Sequence, residues 1–476
     1  MLSWTKLNKP MQLPPRLEGL LKHLPSSAQP YLVGGCVRDW ILGITVKDYD
    51  LEVFNISAKG LRQILENHGR TDTVGRCFGV IKWTPCKGET YDIALPRREI
   101  KKGKGHRGFT IFPDPELSTQ EAASRRDYTV NAIMYDPARK TLLDHFGGIE
   151  DLQNLVLRHT SPAFTEDPLR VLRGMQFAGR FGMKGHPKTM ALCRSIKHQF
   201  RDLSLERVWE EWRKWASQSN RPSMGLHFLK NSGWLEYFPE LEDTIGTPQD
   251  PEWHPEGDVW QHTCHCCDAL TKLPDWKTTK LTLNKVVWMM ATLLHDAGKP
   301  STTEKAEKNG RMRIVSPGHD QKSVDLAKTF FRRIKAPKTV QERVIPLIAQ
   351  HMIYTKNITD RAVRRLSHRL LPETIPSLCT LMSADAMGRP PASQALPEHI
   401  EKLRKKASQL DVLSKAPRPF LTGHDLLKEG FKPGKRLGML LRQAYDLQME
   451  GAIESRPAAL EWMRQQGIQD PCRLTP

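Results

Sequence analysis

The chain has 476 residues, 39% of them apolar, and a mean hydropathy of −0.52, which predicts a globular protein of three or four packed units. Its longest apolar run, Val286 to Leu294 with only Thr292 polar, is nine residues, less than half a membrane span. The N-terminus has no apolar signal-peptide core, and nine cysteines without framework spacing point to reduced thiols, hence to the cytoplasm. A net charge of +19 favours a polyanionic partner, because Lys and Arg contacts release counterions from phosphates. The alternative is a basic surface that serves solubility.

Residues 1–28 form a proline-containing lead-in. In YLVGGCVRDWILGITVKDYDLEVF, residues 31–54, an apolar strand runs into Gly34-Gly35, and a short helix carries Arg38 and Asp39. A second extended run places Asp48, Asp50 and Glu52 at alternate positions, so they share a face, about 7 Å apart along the strand. Two carboxylates beside a glycine turn suit hard cations that hold phosphates. An amphipathic segment (57–68), a strand-rich run (71–83) and an alternating strand, Tyr91 to Leu95, complete a mixed α/β pattern. Asp92 on that strand is either a third carboxylate or an exposed strand acid.

Residues 100–124 read as a loop, with KKGKGHRG able to close over a triphosphate or to serve as a basic connection. In RRDYTVNAIMYD, Arg125 and Arg126 suit phosphates, and Asp127 and Asn131 suit a ribose. From Thr165 the pattern is helical: Asp167 and Arg170 share a face, continued by Arg173 and Arg180. Such a pair can read the edge of a base, but Asp167 before Pro168 also fits a helix N-cap, which the local sequence favours. ERVWEEW (206–212) opens another helix, with Glu206 and Arg207 tying the helical region together.

A shift to Pro, Asp and Glu over 240–258 reads as a linker. His262, His295-Asp296, His319, His351 and Asp385 follow on successive helices, a set that suits one or two transition metals. Cys264, Cys266 and Cys267 lack a distant matching pair and read as small buried residues rather than zinc ligands. The basic tail from 391 is helical, with Leu437, Leu440, Leu441 and Ala444 as a core stripe and Lys432, Lys435 and Arg436 able to meet phosphates.

The ordered set GGCVRD, DYD, RRDYTVNA, EDPLR and ERVWEE resembles class II tRNA nucleotidyltransferases, the bacterial CCA-adding enzymes, and poly(A) polymerases share its first part. The later His and Asp residues resemble the HD phosphohydrolase domain fused to one bacterial branch of that family. The resemblance implies α/β plus all-α architecture: a polymerase β-like nucleotidyltransferase head of mixed sheet and helices (29–160), a base-selecting helical neck (161–245), an HD-type helical domain (246–390) and a tRNA-contacting helical tail (391–476). It implies Mg2+ on Asp48 and Asp50, with Asp92 as a further catalytic carboxylate. Gly34, Gly35, Arg38 and Asp39 would line the triphosphate side, while Arg126, Asp127, Asn131 and Arg173 would contact the nucleotide. Asp167 and Arg170 would select the base, which reverses the N-cap reading. In the HD domain, His262, His295, Asp296 and Asp385 would bind a metal such as Ni2+, Mn2+ or Co2+, and His319 and His351 a second metal or the substrate phosphate.

The implied activity is addition of CCA to tRNA from CTP and ATP, with hydrolysis of phosphomonoesters or 2′,3′-cyclic phosphates at the HD site. The implied partners are tRNA, CTP and ATP, with no membrane, and the chain a monomer or homodimer. Within the same likeness, a poly(A) polymerase or an enzyme adding only CC or only A stays open. An RNA-binding protein with decayed catalysis is the competing class, and retention of both Asp48 and Asp50 argues against it.

Overall fold

The computed structural model describes residues 10–73, 80–101, 109–353, 358–391 and 397–468. Residues 102–108 of the basic glycine-rich stretch, expected to close over a triphosphate or to serve as a basic connection, lie outside them. The chain divides into two units, Met1–Phe238 and Pro239–Pro476. Among the described residues no helix is long and apolar enough to cross a membrane.

Among the described residues the first unit is built mainly on the strands β1 (Gln29–Val33), β2 (Asp50–Phe54), β3 (Arg70–Thr73), β4 (Val80–Cys86), β5 (Glu89–Ala94), β6 (Arg97–Lys101), β7 (Phe109–Pro113), β8 (Met134–Asp136) and β9 (Thr141–Leu143), with a short parallel pair, Val156–Leu157 and Lys184–Gly185, beyond them. Seven of them form one mixed sheet in the order β3-β4-β5-β2-β1-β8-β9. β1 pairs antiparallel with β2 and β8, while β2 and β5 run parallel. Burial on both faces explains the interior place of β1: Tyr31 and Val33 join Phe54, Leu117, Ala123 and Met134 in one core, while Leu32 between them is also fully buried. The helix Ala58–His68 is started by Ser57, whose hydroxyl accepts from the Gly60 amide, and it buries Leu61 and Leu65.

Two expectations change here. β2 starts at Asp50, so Asp48 precedes the strand and is exposed. The segment read as loop from residue 100 contains the far side of a β6–β7 hairpin, paired from Arg97↔Pro113 to Lys101↔Phe109, and the helix Thr119–Ser124. Charge and glycine obscured the alternating pattern of the flanks, and cross-strand pairing decides it.

After the sheet, the helices Leu169–Phe181, Leu205–Gln218 and Pro222–Asn231 pack around buried Trp212, Trp215 and Phe228. Gly225 makes the close approach possible: a Cβ there would lie 2.6 Å from the Met175 carbonyl oxygen.

The second unit is mainly helical. The helices Val259–Leu270, Thr282–Leu294, His319–Arg333, Lys338–Gln350 and Ile375–Met387 bury an apolar interior that also encloses His262, His295, Asp296, His319 and His351. The tail helices Gly423–Lys428, Lys435–Glu450 and Arg456–Ile468 share a core of Leu421, Leu426, Leu440, Ala444 and Met463, against which Leu437 and Leu441 pack. The stretch 240–258 is not a spacer. Glu240 and the side chain of Glu256 are buried, accepting from Arg333 at 2.8 Å and from His262 at 2.6 Å respectively. Acidic composition suggested solvent, whereas these acids are partners of a half-buried arginine and a buried imidazole.

Candidate active sites

The first unit holds a cleft of about 810 Å3 beside the glycine turn, and all of the expected head and neck residues except Asp39 line it. Gly34 ends β1 at φ 73°, a conformation that favours glycine, and Gly35 opens the helix Gly35–Ile41. A Cβ on Gly34 would stand 3.1 Å from Arg126 Nη1 and 3.5 Å from Asp50 Oδ2. The sheet register then aligns the acids, because Asp50 on β2 pairs directly with Asp92 on parallel β5. Burial raises the pKa of Asp50 to about 6, against the lowering effect of Arg126, and neighbouring Asp92 and Asp48 add to the rise. Three carboxylates gathered in one cleft, one of them costly to ionise, suit a divalent cation. Arg126 is held beside them by Glu52 at 3.1 Å, and its buried Nε has no hydrogen-bond partner.

Several of the other polar residues of the cleft are held by one another or by Asp39 behind them. Arg38 is buried, donates to Asp39 Oδ1 at 2.6 and 2.8 Å and to Asn131 Oδ1 at 2.6 Å, and lies 4.5 Å from the Phe181 ring centroid. Asp39 also receives Arg180 at 3.3 Å. Asp127 accepts from Asn131 at 2.9 Å and from Arg173 at 2.7 Å. Burial alone would raise the Asp127 pKa, but Arg173 and the Asn131 hydrogen bond outweigh it and lower it. Asp127 and Asn131 therefore belong to a buried ion-pair chain as well as to the lining.

Asp167 is not the N-cap of the helix Leu169–Phe181, because Pro168 takes that position and Asp167 sits one residue earlier, closing the turn Pro162–Glu166. Its Oδ1 accepts from the Leu169 amide at 3.1 Å, and its Oδ2 receives Arg207 at 2.8 Å. Arg170 donates to the carbonyls of Ala163 and Arg125, both at 2.7 Å. Sequence reasoning did not single out Phe177, Phe181 or the buried Gln176 amide as part of this site; the aromatic i, i+4 pair beside a run of arginines was the available signal.

In the second unit six expected residues converge. Asp296, just beyond the helix Thr282–Leu294, lies between two groups. Its Oδ2 is 3.5 Å from His262 Nε2 and 3.3 Å from His295 Nε2. Its Oδ1 is 3.3 Å from His319 Nε2 and 3.8 Å from His351 Nε2. Asp385 Oδ1 adds a contact of 3.1 Å to His262 Nε2. Backbone carbonyls fix three of the rings through Nδ1, Thr292 for His295 at 2.8 Å, Ser316 for His319 and Ile348 for His351, the last two at 2.7 Å. The Nε2 atoms are thereby turned inward, the tautomer and orientation that metal-ligating histidines adopt.

The donors fit a divalent metal: His295 Nε2 is buried without a well-aligned hydrogen bond, although Asp296 stands 3.3 Å away. Burial alone would raise the Asp296 pKa, yet His295 and Lys299 hold it well below the usual carboxylate range. Burial, with His295 nearby, lowers His351 to about 4, so that ring is neutral.

Three contributors escaped the sequence reading. Glu256, with a wholly buried side chain, binds both His262 at 2.6 Å and His254 at 2.9 Å. Lys299 reaches Asp296 at 2.7 Å, and Arg389 reaches Asp385 at 2.7 Å. Glu256 lay within the presumed linker, and only its proximity to His262 in the chain hinted at a role.

Comparison with known proteins agrees with this layout. Residues 30–158 match the family described as Poly A polymerase head domain, and residues 259–387 the HD domain. The multifunctional CCA protein of Xanthomonas campestris pv. campestris (strain B100) is 33% identical over 427 residues, covering 87% of this chain and 96% of the relative. That of Stenotrophomonas maltophilia (strain K279a) is 36% identical over 371 residues, covering 75% and 86%. The crystal structure of the Bacillus stearothermophilus CCA-adding enzyme in complex with CTP aligns with a TM-score of 0.65 at 20% identity, covering 96% of this chain and 100% of that one. The Thermotoga maritima CCA-adding enzyme complexed with tRNA aligns at 0.59 and 16% identity, covering 97% and 98%. These two likenesses concern the fold, a mixed-sheet head followed by a helical region. On the strength of the near-full-length relatives, the chain belongs to the multifunctional CCA protein family.

Proposed function

We propose that this chain adds CCA to the 3′ end of tRNA from CTP and ATP without a nucleic-acid template, and that its HD site hydrolyses phosphomonoesters or 2′,3′-cyclic phosphates. The observation that carries the first part is the register pairing of Asp50 with Asp92 beside Gly34, in a cleft lined with arginines. Asp48 and Asp50 would hold magnesium, which supplies Lewis-acid stabilisation of the attacking and leaving oxygens when bound. The open backbone at Gly34 admits phosphate oxygens, and Arg126 stands beside them to offset charge on the departing pyrophosphate. The Arg38–Asn131–Asp127–Arg173 chain keeps the floor of the cleft rigid, so that incoming nucleotide meets a preorganised surface.

Base selection is assigned to Asp167 and Arg170. Cytosine and adenine each present an amino donor next to a ring acceptor, while guanine and uracil reverse that order. Asp167 can accept a further donor while Arg207 stays in place, and Arg170 keeps N–H groups beyond the two bound to carbonyls. A wrong base leaves these groups unpaired, at about 1–3 kcal/mol each.

The deciding experiment supplies CTP and ATP, separately and together, to tRNA lacking its 3′ end. Three ordered additions support the proposal; long A tracts on unstructured RNA would instead favour a poly(A) polymerase, a reading the head-domain match keeps in view. Asp167→Ala is expected to admit GTP and UTP, and unchanged exclusion of both would remove Asp167 from base selection. For the HD site, His262, His295, Asp296 and Asp385 would hold a divalent metal such as Ni2+, Mn2+ or Co2+, with His319 and His351 for a second ion or the substrate phosphate; such an ion supplies Lewis-acid activation of water and phosphate. His295→Ala should abolish phosphatase activity and spare nucleotide addition.

A further inference from the structure

Cys266 follows His262 by one turn of the helix Val259–Leu270, so both side chains lie on one face. The thiol is fully buried, with Sγ 3.3 Å from His262 Nε2 and 3.8 Å from the Asp385 carbonyl oxygen. Gly388, just past the helix that carries Asp385, lets the two helices meet at this residue: a Cβ on it would stand 2.9 Å from the Cys266 nitrogen. Cys266, His262, His295 and Asp385 each offer one donor atom, all within 4.8 Å of one another. His295 Nε2, in the same group, is buried without a well-aligned hydrogen bond.

We infer that Cys266 is a sulfur ligand of the HD centre, adding a thiolate to the His262, His295 and Asp385 donors, with Asp296 beside them, for a borderline divalent metal. The inference rests on the proposed metal-binding role of that centre. Two ligands of one ion, nitrogen at about 2.1 Å and sulfur at about 2.3 Å, stand about 3.1–3.6 Å apart for angles from square to tetrahedral. The observed 3.3 Å falls within that span. Binding forms the sulfur–metal bond and sends the thiol proton to solvent. Sulfur shifts the site toward cobalt, nickel, zinc or iron and away from magnesium or manganese. The neighbouring Cys264 and Cys267 are also buried but fall outside the donor group, which makes them internal controls.

The test is a cobalt titration of the full chain after chelation, followed by absorption spectroscopy. Wild-type protein, C264S and C267S should each show a near-ultraviolet thiolate-to-cobalt charge-transfer band. C266S should lose that band and bind cobalt at least about tenfold more weakly, since removing even an outer partner costs that much. Stoichiometric cobalt binding at this centre without the band, or a band that survives in C266S, overturns the sulfur assignment. Failure of the wild-type chain to bind cobalt, nickel, zinc or manganese overturns the metal-binding reading beneath it. If C266S is misfolded by circular dichroism, the wild-type band and its loss in H262A decide the matter, since a band that survives H262A with unchanged affinity refutes the shared site.

Discussion

The substitution Asp50→Asn isolates the electrostatic cost of the carboxylate cluster. Burial, with Asp92 and Asp48 adjacent, raises the Asp50 pKa from 3.8 to about 6 in the metal-free fold. That difference corresponds to about 3 kcal/mol by linkage. The sign follows from which form is penalised. Above pH 6 the folded chain carries an ionised Asp50 at the full cost, and below 3.8 the carboxyl is neutral in both folded and unfolded states, so the cost vanishes. Asparagine keeps the shape and removes the charge. In chelator at pH 7.5 the variant's first unit should therefore be more stable than wild type by about 3 kcal/mol, falling to about half that at pH 5. Hydrogen-exchange mass spectrometry on peptides spanning β1, β2 and β5 reads this unit separately from the other. Magnesium should stabilise wild type and leave the variant unchanged, and nucleotide addition by the variant should be lost. Equal or faster exchange in the variant at pH 7.5, or a gain that does not shrink at pH 5, would refute the reasoning.

Gly34→Ala places a methyl 3.1 Å from Arg126 Nη1 at a φ of 73°; a loss of about 1–3 kcal/mol in thermal or denaturant unfolding is expected, with at least a tenfold fall in addition rate, and wild-type kinetics would show that Arg126 gives way. Glu256→Gln keeps the volume but weakens the hold on His262 Nδ1, so cobalt or nickel affinity at the HD centre should drop about 10–100-fold in competition titration while nucleotide addition is unchanged. Binding of tRNA should weaken steeply with salt, log K falling by about 0.7–0.9 per log unit of salt for each phosphate contacted, and a flat response would mean that the charge of +19 is not a tRNA footprint.

Local pattern was enough for much of the head. The short apolar run of β1, the Gly34-Gly35 turn and the acid at 50 on the next strand are local features, and so are the residue types of the His and Asp set in the second half, whereas periodicity misplaced Asp48 on the strand. The likeness of five ordered motifs supplied the fold class and the family. Partnership across the chain was not legible, because it depends on which groups burial forces together. Only the parallel pairing of β2 with β5 makes Asp92 the neighbour of Asp50. Only the second unit's packing turns an acidic stretch, read as linker, into the buried support of His262 through Glu256. Cys266 shows the same limit. Its sequence neighbours suggest a small core residue, while the fold sets its sulfur 3.3 Å from an imidazole nitrogen. Composition and periodicity report what each residue prefers on average; a buried polar group must find its partner wherever the tertiary structure brings one.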